Sequence, residues 1–408
     1  MLLDEIVKAQ KRGEAKGITS ICSAHPWVLR SAMRQNSGKI LVEATCNQVN
    51  QFGGYTGMTP LKFVEFVRGI AQENQFPFEN IILGGDHLGP NVWQNEPATT
   101  AMQKAEAMIR DYVQAGFVKI HLDCSMKLGD DPEGALDMEV STKRAARLAL
   151  AAEEESRHDH LCYVIGTEVP VPGGAREVEE TVSVTTVEDV QQTIQVTRDA
   201  FFFEGLQAAW GDVIAVVVQP GVEFGDEFIL PYQPAQTTEL ARFIENQPMI
   251  YEAHSTDYQT REALKNMVQD HFAILKVGPG LTFAFREAIF ALAMIEDELL
   301  AKDDRSNMIQ ILDDVMLRQP EHWEKYYQGD KAKQSFKRKY SLSDRIRYYW
   351  GHPQVQQAIE RLLKNLGNQP LPYSLLKQFV GKTDLHAAQV IEWKIESVLQ
   401  DYWAACND

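Results

Sequence analysis

The sequence predicts a (β/α)8 TIM barrel followed by a helical C-terminal extension. Three observations carry that prediction. Eight short apolar or β-branched runs recur between residues 18 and 277. Longer amphipathic stretches separate them, and this alternation implies parallel strands joined by right-handed crossovers. Eight such units in a segment of this length match a closed barrel, while an open doubly wound sheet is the alternative.

The elements follow in order. Residues 1–17 form a charged amphipathic helix pattern. The eight strand-like runs are 18–24, 39–45, 80–85, 117–123, 161–168, 213–219, 249–254 and 272–277. Helical periodicity fills intervals such as 61–74, 98–115 and 142–155. Residues 282–301 read as the eighth barrel helix. The expected division is therefore an N-terminal helix (1–17), a barrel (18–301) and a helical extension (302–408). The extension is polar, with aromatic clusters at Trp323, Tyr326 and Tyr327 and again at 348–350. Its segment 341–350, SLSDRIRYYW, is rich in arginine and aromatic residues. Such a segment either packs against the barrel or forms a partner interface.

Composition narrows the function. Forty Lys and Arg stand against 57 Asp and Glu among 408 residues, a net charge of −17. That balance excludes nucleic acid and an anionic membrane surface, both of which need clustered cations. A small anionic substrate stays open, because a few local cations suffice to hold one. No apolar stretch approaches the length of a membrane span, and the N-terminal segment has no signal-peptide core. Cys22, Cys46, Cys124, Cys162 and Cys406 are widely spaced with no CxxC pair. Reduced thiols in the cytoplasm are expected, without a structural zinc site.

A barrel of this type places its chemistry at the C-terminal ends of the strands. Every predicted strand ends in polar groups: Ser23 and His25; Glu43, Thr45 and Asn47; Asp86 and His87; His121, Asp123 and Ser125; Glu168; Gln219; Glu252 and His254; Lys276. His121 and Asp123 share a strand face, as do Glu252 and His254. Asp86 and His87 are adjacent, so only one points inward on a regular strand. The glycines around them (Gly84, Gly85, Gly89) would let both reach the site. Imidazoles and carboxylates converging at one mouth suit a divalent metal such as zinc. The expected ligands are His87, Glu168 and His254, with Asp123 a fourth ligand or a partner behind them. Asp86 and Asp123 are the catalytic candidates. Asn47, Ser125, Gln219, Ser255, Lys276 and Gly278 are the substrate-binding candidates. Glycine turns at 53–54, 84–85, 173–174 and 278–280 allow close backbone approach to phosphate or sugar, and the turn after strand eight is the best phosphate candidate.

These stretches also carry a resemblance. LVEATCNQVNQFGGYTGMTP (41–60), ILGGDHLGPNVW (82–93), KIHLDCSM (119–126), YVIGTEVPVPGG (163–174), VVVQPGVEF (216–224), YEAHSTDYQT (251–260), HFAILKVGPGLTFAFREAIFALA (271–293) and YSLSDRIRYYW (340–350) resemble the Z-type subunits of D-tagatose-1,6-bisphosphate aldolase, the GatZ/KbaZ family. The resemblance runs nearly end to end. It implies a (β/α)8 barrel serving galactitol or N-acetylgalactosamine-type sugar catabolism. It further implies a subunit that is not itself catalytic, but is required for the stability and full activity of a zinc-dependent class II catalytic partner, within an oligomer. The family is similar to class II aldolases at Asp86-His87, at Glu168 with Gly173-Gly174, and at His254. Where those aldolases carry a zinc histidine after strand six, this sequence has Gln219-Pro220-Gly221, and glutamine is a poor zinc ligand. The alternative is an enzyme in its own right, a metal-dependent C4 epimerase or aldolase of ketohexoses or their phosphates, with Asp86 or Glu168 moving the proton. No GxxxxGK[ST] loop supports a kinase.

Overall fold

Parallel strands covered by helices have no solvent face, so their sequences run apolar on both sides. The structure, a computed structural model, describes residues 2–35, 38–156, 160–167 and 182–407. Its strands are β1 (Ile18–Ile21), β2 (Ile40–Thr45), β3 (Ile81–Leu88), β4 (Lys119–Leu122), β5 (Cys162–Ile165), β6 (Val213–Val217), β7 (Glu223–Phe224), β8 (Ile229–Leu230), β9 (Ile250–Ala253) and β10 (Phe272–Val277). Eight of them close into a parallel barrel in the order β1-β10-β9-β6-β5-β4-β3-β2, with β2 returning to β1. Along those eight every residue is buried except Thr45, at the tip of β2.

All eight expected runs become barrel strands. The short antiparallel hairpin β7–β8 was not anticipated, because two-residue strands leave no periodic trace. Among the described residues no helix is long and apolar enough to cross a membrane, and all five cysteines are free.

The barrel interior is layered. Ile18, Leu41, Ile82, Val164, Val217, Ile250 and Ile274 form a small apolar cluster with Leu3 and Ile6 of the helix Leu2–Lys11. That helix stops the N-terminal end of the barrel. Two residues further along the strands, the inward positions change character to Ser20, Glu43, Gly84, Glu252 and Lys276. Gly84 is required there: a Cβ at that position would lie 2.8 Å from Glu43 Cγ.

The chain beyond residue 301 is built onto the barrel. Its last helix, Ala387–Asn407, packs against the barrel helices Pro279–Leu299, Arg261–Gln269 and Pro26–Gln35. Gly17 N–H donates to Cys406 C=O at 2.9 Å, and Tyr402 Oη donates to Thr256 C=O at 2.7 Å. The helix thus covers the seam where β1 meets β10. Residues 341–345 lie nearer the mouth. Leu342 N–H donates to Asp226 C=O at 2.9 Å, and Thr282 Oγ1 donates to Asp344 Oδ2 at 2.6 Å.

Gly89 marks the tightest backbone approach at the mouth. It is extended, and a Cβ there would fall 1.7 Å from Asp123 C=O. Gly89→Ala is expected to destabilise the fold by roughly 1–3 kcal/mol, the usual cost of overpacking. A urea midpoint unchanged from wild type would contradict this.

Candidate active site

Charge is carried through the barrel interior on β2, β4, β9 and β10. Lys119 Nζ lies 2.8 Å from Glu43 Oε1 and 2.7 Å from Glu252 Oε2, and none of these side chains touches solvent. Ser20 Oγ donates to Glu43 Oε1 at 2.7 Å. Nearer the mouth, Lys276 Nζ is 2.7 Å from Glu252 Oε1 and pairs closely with Asp86. Buried ions are costly unless paired, and here each ammonium meets two carboxylates. Burial opposes the charge on both lysines. Glu252 and Glu43 around Lys119, and Asp86 and Glu252 around Lys276, nevertheless hold the two ammoniums above the ordinary lysine range. In the same way burial would raise the Asp86 and Glu252 carboxyls, but the lysines hold both well below the usual carboxylate range.

Three imidazoles sit above this network. The ring centroids of His87, His121 and His254 are 5.0 Å (87–121), 4.7 Å (87–254) and 5.1 Å (121–254) apart. Asp86 Oδ1 is 3.1 Å from His121 Nδ1 and 3.7 Å from His87 Nε2. Adjacent Asp86 and His87 both reach the site because His87 takes a left-handed conformation, φ +46°, where the β3–β4 pairing shifts register. A histidine in that region is uncommon, and such backbone gathers at functional sites. His87 Nδ1 lies 2.8 Å from Asp123 Oδ2, which fixes the ring. His254 Nε2 lies 3.0 Å from Glu252 Oε1.

The donor set fits a divalent metal. One potential ligand atom from each of Asp86, His87, His121 and His254 lies within 4.8 Å of the others, and all four residues are buried. His121 Nε2 and His254 Nδ1 are buried without a hydrogen-bond partner, a state that costs about 1–3 kcal/mol per group unless something satisfies it. Burial, and then the Lys276 ammonium, push His121 down to about 4 and His254 well below its ordinary value. Both rings are therefore neutral at pH 7, the form that ligates metals. Charge points the same way. Glu43, Asp86, Asp123 and Glu252 face Lys119 and Lys276, four carboxyl groups against two ammoniums.

Several expectations change. The third imidazole comes from His121 on β4, which supplies what the Gln219 position lacks. The alternation Lys119, His121, Asp123 on one strand face held that signal in the sequence. Asp123 is not free for catalysis: Oδ2 faces His87, while Oδ1 accepts from Ser125 N–H at 3.1 Å and Ser125 Oγ at 2.6 Å. Ser125 is thereby committed to Asp123 and not to a ligand. Gln219 Oε1 accepts from Gly221 N–H at 2.8 Å, tying its own turn. The 278–280 turn, expected to hold phosphate, already serves Asp257: Gly278 and Gly280 N–H donate to Asp257 Oδ1 at 3.0 and 2.7 Å. Burial pushes the Asp257 carboxyl up to about 6. Glu168 and the Gly173-Gly174 turn lie outside the described residues.

A cavity of about 100 Å³ lies over the cluster, lined by Asp86, His87, His254 and Lys276 together with the expected residues Asn47, Ser255 and Gly278. It adjoins a chamber of about 440 Å³, with Cys22, Gln48, Tyr55, Gly278, Pro279, Arg347 and Tyr348 in the walls of both. The segment 341–350 therefore contributes to the mouth itself, a role that neither sequence reading of it included.

A family model described as D-tagatose-1,6-bisphosphate aldolase subunit GatZ/KbaZ-like matches residues 3–407. Proteins named D-tagatose-1,6-bisphosphate aldolase subunit GatZ from Salmonella dublin and Salmonella gallinarum are each 52% identical over 420 residues, covering 99% of this chain and 99% of their own. Among solved structures, a probable tagatose 6 phosphate kinase from Sinorhizobium meliloti 1021 is 45% identical with a TM-score of 0.88, over 96% of this chain and all of that one. A fructuronate-tagaturonate epimerase from Cohnella laeviribosi, at 10% identity and TM-score 0.52 over 96% and 81% of the two chains, shares the fold.

Two outcomes follow from this geometry. His121→Gln should weaken zinc binding by about 100-fold or more. Asp123→Asn, acting through His87, should weaken it roughly 10- to 100-fold. Equilibrium dialysis measures both, and wild-type affinity in His121→Gln would remove that ring from the ligand set. In the metal-free protein, His121 titrates lower when folded (about 4) than unfolded (ordinary value 6.5). Its contribution to stability is complete above pH 6.5 and is lost as pH falls through 4. Urea midpoints across that window should decline in wild type and less in His121→Gln.

Proposed function

Because the chain belongs to the D-tagatose-1,6-bisphosphate aldolase subunit GatZ/KbaZ-like family, we propose that it is a component of D-tagatose-1,6-bisphosphate aldolase. In this reading it is the subunit that stabilises a separate class II catalytic subunit and brings it to full activity. The observation that carries the proposal is the 52% identity over 99% of both chains, which includes the extension as well as the barrel. Carbohydrate catabolism in the cytoplasm is the setting, and a hetero-oligomer with the catalytic subunit is the working form. The activity named for the Sinorhizobium relative finds no GxxxxGK[ST] loop in this chain.

A second reading is favoured by one specific observation, the buried Asp86, His87, His121 and His254 set. A scaffold has no physical need for three buried imidazoles around a carboxylate at a barrel mouth. In this reading the site takes a phosphosugar, and His87, His121, His254 and Asp86 hold a divalent metal. When bound, that metal would supply Lewis-acid polarisation of a ketose carbonyl. The protein's own groups do the rest. Asp123 holds the His87 ring in one orientation. Lys276 keeps Asp86 ionised, the form in which a carboxylate can ligate a metal. Ser255, left-handed at φ +53°, and Asn47 line the cavity within reach of sugar hydroxyls. Aldol cleavage or C4 epimerisation of a ketohexose phosphate is the chemistry such a site suits.

The two readings separate in one experiment. The class II catalytic subunit is assayed for tagatose-bisphosphate cleavage alone, mixed with this chain, and after heating. The subunit role predicts higher activity and a longer thermal half-life in the mixture, with no cleavage by this chain alone. Turnover by this chain alone, with zinc or manganese supplied, would instead favour the second reading. An unchanged catalytic subunit in the mixture would overturn the first.

A further inference from the structure

The larger chamber has an unusual electrostatic character for so acidic a chain. Among the described residues lining it there is no Asp or Glu. Arg347 lines both this chamber and the cavity over the metal-type cluster. Its guanidinium makes no ion pair within 4 Å among the described residues. It donates instead to neutral oxygens, to Ser343 C=O, to Asp344 C=O at 3.1 Å and to Tyr348 Oη at 3.0 Å. The nearest acids are committed elsewhere. Asp344 accepts from Thr282 and lies 3.4 Å from Arg286, while Asp257 accepts from Gly278 and Gly280.

The nearby Arg345 has no carboxylate partner among the described residues either. Its guanidinium donates to His322 C=O at 2.9 Å and lies 3.0 Å from the Tyr326 ring centroid, and its Nε is buried without a partner. Both arginines are anchored by a rigid aromatic stack, with Tyr348 against His322 at 4.7 Å and against Tyr55 at 4.7 Å. A half-buried guanidinium held by aromatic rings, with no carboxylate within 4 Å among the described residues and lining a chamber, suits an anion.

We infer that the segment 343–350 forms the subsite for the terminal phosphoryl group of the sugar, with Arg347 as its cation and Tyr348 and Gln48 as flanking polar groups. The sugar's reacting carbons would then lie over Asp86 and the imidazoles. This rests on the phosphosugar reading of the site and adds to it where the anion binds. The two adjoining spaces together fall in the range of small-ligand pockets, roughly 300–1,000 Å³. An Arg fork with hydroxyl and amide neighbours matches the several acceptor oxygens of a phosphoryl group. The location also explains why the expected 278–280 turn can be occupied by Asp257: the anion is recognised across the mouth, by the extension.

The test is calorimetric titration of the full chain with a ketohexose 6-phosphate, the unphosphorylated ketohexose, the corresponding hexuronate and inorganic phosphate. Arg347→Gln should weaken the phosphate ester roughly 10- to 100-fold and leave the free sugar unchanged. Arg347→Lys should recover part of that loss. Equal weakening of ester and free sugar would mean a merely structural role and overturn the subsite, as would no change in either. Tighter binding of the hexuronate than of the ester in wild type would overturn the phosphoryl assignment. Arg347-dependent binding of inorganic phosphate with no binding of any sugar keeps the anion subsite and removes the phosphosugar reading of the cluster. Absence of all anion binding overturns the subsite. Should Arg347→Gln fail to fold, Arg347→Lys carries the comparison, with roughly threefold or greater weakening expected for the ester alone.

Discussion

The interior of this barrel is organised by Lys119. Its ammonium lies between Glu43 and Glu252, all three wholly removed from solvent. Such ions are stable only as a closed set, because removing one partner strands the charge of another. Glu252 in turn reaches Lys276, Lys276 reaches Asp86, and Asp86 faces His121. The chain of contacts links β2, β4, β9, β10 and β3 through their side chains as firmly as the sheet links them through the backbone. It also sets the protonation of everything above it. His121 and His254 stay neutral because burial, and then the Lys276 ammonium beside them, oppose their protonation, and the same ammonium keeps Asp86 ionised. The apolar layer below, closed by Leu3 and Ile6, keeps water from reaching the network from the far end.

Much of the architecture was legible in the sequence because burial on both faces leaves eight unmistakable apolar runs. Of the polar residues at the ends of those runs, His87, His254, Asp86 and Lys276 line one cavity. What was not legible depended on geometry that periodicity does not encode. His121 was placed at a strand end on one face with Asp123 but not as a neighbour of His87 and His254, since that requires knowing how β3, β4 and β9 stagger around the cylinder. Asp123 and Ser125 look like mouth residues on spacing alone, but they spend their hydrogen bonds on His87 and on each other. The 278–280 turn has the composition of a phosphate loop, and only the fold reveals that Asp257 already occupies its N–H groups.

The arginine-rich segment is the clearest case of information held between distant parts of the chain. On composition it suits a packed core or a partner interface. In the structure it packs and does something more: Ile346, Tyr349 and Trp350 join the core, while Arg347 and Tyr348 wall the chamber. A barrel mouth alone would be acidic, given Asp86, Asp257 and the overall charge. The extension brings positive charge to that rim through Arg347, beside Lys276 of β10.

The seam between β1 and β10 has its own consequence for how the molecule is made. Gly17 beside the first strand is bonded to Cys406 in the last helix, and a Cβ at Gly17 would lie 2.9 Å from Ala273 C=O and 3.2 Å from Cys406 Sγ. Two segments nearly 400 residues apart in sequence are therefore fastened together. During synthesis the cylinder can assemble strand by strand, yet its outer wall stays open over the closing joint until residues 387–407 have cleared the ribosome. The joint between β1 and β10 is thus covered by a segment that lies more than a hundred residues beyond the last barrel strand.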